Sequence, residues 1–175
     1  MRCPAAGKGL RVVGRFTSER VVYTVREAIV TEVEMETPRM THVALHVRDL
    51  EACIAFYRDY CAMDVFHRRE AGPKSIVWMS EPGRERDFIF VLMDQGRDLS
   101  LPGDDYRHFG FAVASRADVD EIAQRAAGAG CLVWEPRDEP WPVGYYCGLK
   151  DPNGNYIEFS YGQPLGPGAL SLEDY

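Results

Sequence analysis

The feature that most constrains this chain is a pattern of elements that occurs in it twice. An offset of 66 residues sets His42 on His108 and carries Val43 to Phe109, Ala44 to Gly110, Leu45 to Phe111 and Val47 to roughly Val113. Both stretches alternate, apolar on one side and small or basic on the other, which is the two-residue period of a half-buried strand. Each is followed by an N-cap residue, Asp49 or Ser115. Apolar residues at helical spacing come next: Leu50, Cys53, Ile54, Tyr57 and Cys61 in the first copy, and Val119, Ile122, Ala123 and Ala126 in the second. Ser115 with Asp118 makes a capping-box-like start, and Gly128 and Gly130 end the second helix. Three strand-like runs then complete each copy. They fall at Asp64 to Arg68, Lys74 to Met79 and Asp87 to Met93, and again at Cys131 to Glu135, Tyr145 to Leu149 and Tyr156 to Tyr161. Turns at Gly72-Pro73, Glu81-Pro82-Gly83 and Asp151-Pro152-Asn153-Gly154 separate them. The sequence therefore predicts an α+β fold of two β-α-β-β-β modules in pseudo-twofold pairing, their mixed sheets curving round a cleft.

The boundaries follow from composition. Module one is expected over 40–94 and module two over 106–162, within a domain of 40–163, and the Gly, Pro and Asp rich run from Gln95 to Asp105 is a linker. Residues 1–39 read as an N-terminal extension in which Arg20 to Met35 is β-branched enough for a strand or hairpin, and 164–175 as a C-terminal tail. A net charge of −7 gives no basis for a nucleic-acid surface, which needs clustered Lys and Arg. No apolar run reaches the roughly 18 residues of a membrane span, and the N-terminus lacks a continuous apolar signal core, so no membrane partner and a cytoplasmic location are expected. The five cysteines are odd in number and form no C-x-x-C pair, so they are expected to be reduced and mostly buried.

If the modules pair about a pseudo-twofold axis, helices cover the sheet faces that carry Val43, Leu45, Phe109, Phe111, Ile157 and Phe159. The opposite faces then line a shared cleft. Into it point His42 from module one and His108 and Glu158 from module two. Two imidazoles and one carboxylate with open positions form the ligand set of a facial-triad metal site, suited to Fe(II), Mn(II), Zn(II) or Ni(II). An offset of 68 residues aligns the last strands, pairing Ile89 with Ile157 and Phe90 with Glu158, so that Phe90 is expected at the fourth place. His46 shares the face of His42 and is a candidate to bind a substrate acid or act as general base, with a hydrogen-bonded cleft histidine as the alternative. Trp134, Trp141, Tyr145 and Tyr146 suit either an aromatic wall for a ring-bearing substrate or packing in the core or a dimer contact.

The runs HVALHVRDLEACIAFYRD, YRHFGFAV and DPNGNYIEF resemble those of the vicinal oxygen chelate superfamily, which includes glyoxalase I, extradiol dioxygenases, fosfomycin-resistance thiol transferases and bleomycin-resistance proteins. The resemblance covers residues of about 40 to 163 and implies the metal-ligand positions His42, His108 and Glu158. It implies extradiol-dioxygenase-like or lyase/isomerase chemistry on a small substrate bound through vicinal oxygens, in a homodimer. The alternative within the family is a noncatalytic antibiotic-binding protein of the bleomycin-resistance type. Glyoxalase I supplies a second carboxylate where the alignment puts Phe90, which weakens a glyoxalase assignment. Ring-cleaving and fosfomycin enzymes commonly carry a Tyr at the place of Gly148, and Tyr146, two residues earlier on the same strand face, is the candidate to replace it. Pro140 to Leu149 offers no cationic cluster for a phosphonate.

Overall fold

The structure, a computed structural model, describes residues 13–16, 21–24, 38–102 and 104–169. The chain divides into two compact units, 1–40 and 41–175. In the first, β1 (Val13–Phe16) and β2 (Val21–Thr24) pair antiparallel. The strand or hairpin expected over Arg20 to Met35 thus contains β2, and its stretch from 25 to 35 lies outside the described residues.

In the second unit the order is β3 (His42–His46), α1 (Leu50–Cys61), β4 (Asp64–Ala71), β5 (Lys74–Ser80) and β6 (Ile89–Met93), then β7 (His108–Ala112), α2 (Arg116–Ala129), β8 (Leu132–Glu139), β9 (Gly144–Lys150) and β10 (Tyr156–Tyr161). Each half forms one mixed four-stranded sheet, ordered β3-β6-β5-β4 and β7-β10-β9-β8, with its first and last strands parallel. The α+β class and both β-α-β-β-β runs are as the sequence predicts.

The helix boundaries have local causes. The Asp49 carboxylate accepts from the Ala52 N–H at 3.0 Å and the Ser115 hydroxyl from the Asp118 N–H at 3.2 Å, so each helix starts on a satisfied cap. Gly130 ends α2 in the left-handed conformation, φ 71°. Among the described residues no helix is long and apolar enough to cross a membrane.

One apolar core serves both sheets. Leu50, Cys53, Ile54 and Tyr57 of α1 and Val119, Ala123 and Ala126 of α2 are buried in it with the helix-side residues of the strands. Each such side chain taken fully out of water contributes about 1.5–3 kcal/mol. The halves meet where the Phe90 ring contacts Phe109 and Phe111, at centroid distances of 5.4 and 5.9 Å. Of the described cysteines, Cys53, Cys61 and Cys147 are buried and Cys131 partly so, all as free thiols.

The strand pairing corrects one sequence expectation. In the first sheet His42 stands opposite Ile89, Val43 opposite Phe90 and Ala44 opposite Val91; in the second His108 stands opposite Tyr156, Phe109 opposite Ile157 and Gly110 opposite Glu158. The counterpart of Glu158 is therefore Val91. Phe90 corresponds to Ile157 and faces the helices, its ring 5.3 Å from that of Tyr57. A slip of one residue moves a side chain to the other face of a sheet, and the offset of 68 was one too many. The fourth place remains apolar, occupied by a different residue.

The turn before β10 is fastened to the first half. Gly154 N–H donates to the Asp151 carbonyl at 3.0 Å, closing the turn. The buried Asp151 carboxylate accepts from the Tyr57 hydroxyl at 2.9 Å, from the N–H groups of Asn153 and Asn155, and from the Asn155 amide. Asn153 in turn accepts from the Arg48 N–H at 2.9 Å. The start of β10, two residues before Glu158, is thereby anchored to the first half.

Candidate metal centre

Residues paired across neighbouring strands project on the same face. On the face of the second sheet opposite the helices this gives a row of Trp134, Gly148, Glu158 and Gly110, and beside it a row of Arg137, Tyr146, Ser160 and Ala112. His108 lies on the same face of β7, opposite Tyr156. The two ligand candidates of module two thus come together: His108 Nε2 is 3.4 Å from Glu158 Oε2, with Glu158 only 6% exposed.

The neighbours decide which atoms face each other. His108 Nδ1 lies 2.7 Å from the Tyr106 carbonyl oxygen, which can only accept, so Nδ1 carries a proton and Nε2 is the ring nitrogen turned toward Glu158, presenting a lone pair when it carries no proton. That lone pair meets a carboxylate oxygen. A proton on Nε2 or a metal cation between the two atoms makes this approach favourable. Two ligands at about 2.1 Å from one ion stand about 3 to 3.5 Å apart, so the pair fits a divalent metal. Glu158 Oε1 is held by the Gln163 amide, which donates at 2.9 Å. Such outer contacts fix ligand orientation.

The Trp134 indole stands edge-on to His108, with ring centroids 5.8 Å apart, and packs on Tyr156 at 5.3 Å and Tyr106 at 6.1 Å. Trp134 thus joins Tyr106 and Tyr156 in an aromatic cluster beside His108, and of the other three aromatics expected with it Tyr146 alone is placed on the same face. Tyr146 lies in the neighbouring row beneath the Arg137 guanidinium, 5.3 Å from its ring centroid. Burial pushes the Tyr146 hydroxyl pKa up, against the opposing pull of Arg137. Tyr145 projects to the other face and donates to Asp120 at 2.6 Å.

His42 and His46 lie on the exposed face of β3, in the other sheet. Thr41 Oγ1 is 3.0 Å from His42 Nδ1. His46 Nε2 lies 2.9 Å from the Asp94 carbonyl oxygen and must donate to it, leaving Nδ1 as the acceptor. His46 lines a separate hollow of ≈ 640 Å³ with Arg97, Asp98 and Asn153. Among the described residues no three His, Cys, Asp or Glu side chains converge on a point that could hold an ion. A single chain brings together His108 and Glu158, and leaves His42 apart from them.

Residues 39–159 match the profile of the Glyoxalase/Bleomycin resistance protein/Dioxygenase superfamily. The chain belongs to this superfamily. A relative in sequence, the uncharacterized protein PA2024 of Pseudomonas aeruginosa, is 65% identical over 136 residues, covering 78% of this chain and 97% of that protein. The fold is shared with a glyoxylase/bleomycin resistance protein/dioxygenase domain from Frankia sp. EAN1pec, at 25% identity and a TM-score of 0.56, over 71% of this chain and 97% of that one. It is shared too with a fosfomycin resistance protein, FosX, from Listeria monocytogenes, complexed with Mn(II) and a dihydroxypropylphosphonic acid, at 17% identity and a TM-score of 0.58, over 79% and 96% of the two chains. Leishmania major glyoxalase I matches at 20% identity and a TM-score of 0.54, over 71% and 86%.

Sequence reasoning did not find Gln163, Arg137 or Val91. Gln163 follows Gly162, outside any periodic segment, and nothing in its spacing announces a contact with Glu158. Arg137 escaped because an ideal strand would turn it away from the face of Trp134.

Proposed function

We propose that this glyoxalase-superfamily protein is a metal-dependent enzyme acting on a small substrate bound through two neighbouring oxygens, with His108 and Glu158 of one copy and His42 of a second copy as the ligands. The observation that carries this is the approach of His108 Nε2 to the Glu158 carboxylate, an arrangement that a cation between them makes favourable. The second copy follows from the sheet edges. β3 and β7 are five-residue edge strands, with one side of each unpaired among the described residues. β3 carries His42, and β7 carries His108 beside Glu158. Joining β3 of one copy to β7 of another would bring the three side chains toward one place.

The metal, Fe(II), Mn(II), Zn(II) or Ni(II), would supply Lewis-acid polarisation of the substrate oxygens or, as Fe(II), activation of dioxygen. The protein's own groups do the rest. The Tyr106 carbonyl fixes the His108 tautomer, and Gln163 fixes the Glu158 carboxylate. Trp134 and Tyr156 offer a flat apolar surface to a planar substrate. Tyr146, kept protonated by burial, donates a hydrogen bond. His46, four residues along β3 from His42 and so about 13 Å from it, faces the same side of the strand with Nδ1 able to take a proton.

The test is metal analysis of protein purified without chelator, beside His108→Ala and Glu158→Gln. The expected result is an ion stoichiometric with wild-type chains and lost in both variants, with the circular dichroism unchanged. Full occupancy in the variants overturns the centre, and metal-independent capture of a small molecule without turnover would favour a binding protein instead.

A further inference from the structure

The face that carries the candidate centre also carries a cation, Arg137, with no counter-ion among the described residues. The register of β8 against β9 slips between Trp134, opposite Gly148, and Arg137, opposite Tyr146, so that β8 takes one more step than its partner. This is a β-bulge, and it re-aims a side chain. In a regular strand residues three apart face opposite ways; here Trp134 and Arg137 share the open face. The next residue confirms the sense, because Asp138 turns to the helix side and binds Arg116 of α2 at 2.6 Å.

Among the described residues Arg48, Arg58, Arg68, Arg84, Arg107 and Arg116 each hold a carboxylate, whereas Arg39, Arg69, Arg86, Arg97 and Arg125 hold none and lie outside the strands of the sheet that carries the candidate centre. Arg137 holds none among the described residues, and its recorded contact is the Tyr146 ring. Glu139, two residues on, faces the same way without reaching it. A guanidinium laid flat on an aromatic face keeps its N–H edge available for a planar anion. The Arg137–Tyr146 row is two strand positions from the Gly148–Glu158 row, roughly 7 Å along the sheet. That is the span of one substituted six-membered ring.

We infer that Arg137, seated on Tyr146, binds the carboxylate of a planar substrate whose neighbouring oxygens lie at the His108–Glu158 centre; the inference rests on the function proposed above and names its substrate class, a vicinally oxygenated ring acid. A single guanidinium suits a monoanionic carboxylate, which it meets edge to edge with two hydrogen bonds. A dianionic phosphonate calls for more positive charge than this face provides.

The test uses Mn(II)-loaded full-length protein and two probes that differ by one group, catechol and its ring carboxylate protocatechuate, with dissociation constants measured by calorimetry. Protocatechuate is expected to bind about ten- to hundredfold tighter than catechol, the worth of a charge-assisted contact. R137Q brings the two affinities together by weakening protocatechuate, and R137K recovers part of the gap. Equal affinities in the wild type, a ratio unchanged in R137Q, or binding of neither probe overturns the subsite. E158Q separates the two proposals: it weakens both probes if the metal centre is right. If E158Q changes neither affinity while R137Q still erases the ratio, the metal centre falls and the subsite stands.

Discussion

The Trp134 indole fills the space that a side chain on Gly148 would need. A Cβ built at Gly148 lies 2.1 Å from Trp134 Cε3 and 2.6 Å from Cδ2, a contact that real side chains do not make. The glycine on β9 and the tryptophan on β8 are complementary, and the indole so placed forms the wall beside His108.

Gly148→Ala should destabilise the protein by about 1–3 kcal/mol through overpacking, and Trp134→Ala by about 2 kcal/mol through lost burial. Because each change removes the cause of the other's strain, the double variant should lose at least about 1 kcal/mol less than the sum. Urea unfolding of the four proteins measures this, and strict additivity would show that the two residues do not interact.

Tyr57→Phe tests the fastening of the turn before β10. Loss of the hydroxyl that donates to the buried Asp151 carboxylate should cost about 1.5–3 kcal/mol, and Asp151→Ala should cost more because four donors lose their acceptor. Tyr57 also has its pKa pushed well up, first by burial and then by Asp151, consistent with a phenol that stays a donor. The check is chemical denaturation, together with metal affinity, which should fall if the turn positions Glu158.

A centre shared between two copies predicts complementation. Mixing His42→Ala chains with Glu158→Gln chains, after dissociation and reassociation, places wild-type His42 of one chain against wild-type His108 and Glu158 of the other, restoring one centre per mixed dimer. Metal content of a randomly reassociated equal mixture should rise from near zero toward about a quarter of the wild-type value, since half of the dimers are mixed and each holds one centre of two. No recovery in a mixture shown to exchange would rule out sharing.

Alkaline pH should unfold the protein through its buried thiols. Burial pushes Cys53 and Cys147 from 9.0 to about 12, so the fold retains protons that the unfolded chain releases. The resulting stability is complete below pH 9.0 and is lost as the pH rises toward about 12. Each thiol steepens the fall by up to about 1.4 kcal/mol per pH unit. Unfolding free energies of Cys53→Ala and Cys147→Ala should fall less steeply with pH across that window than those of the wild type; identical slopes would contradict it.

Ser160 sits in the row of Tyr146, fully buried, and its hydroxyl has no hydrogen-bond partner among the described residues. Ser160→Ala removes an unsatisfied polar group at little cost in volume, so stability should be unchanged or rise by up to about 1 kcal/mol. A clear loss in thermal melting would show that the hydroxyl has a bound partner in solution.

Much of this molecule is written in local pattern. The alternation of His42 to His46 and His108 to Ala112, the caps at Asp49 and Ser115, and the stop at Gly130 each act within a few residues of themselves, so they are legible without tertiary context. The repeat joined them into two modules because a pattern used twice restricts the fold more than either copy alone.

The site was legible in its residue types and not in its geometry. His108 and Glu158 lie 50 residues apart in sequence and meet only because β7 and β10 pair in parallel. The sequence by itself determined the element order, the two apolar faces and the pool of candidate ligands, because these depend on period and propensity. Tertiary structure alone decided that Val91 rather than Phe90 stands where Glu158 stands in the other sheet. It decided also that a bulge turns Arg137 onto the open face, and that His42 lies apart from the other two candidates. In each case the deciding quantity is which backbone groups pair across strands, and local sequence does not encode a one-residue slip in that register.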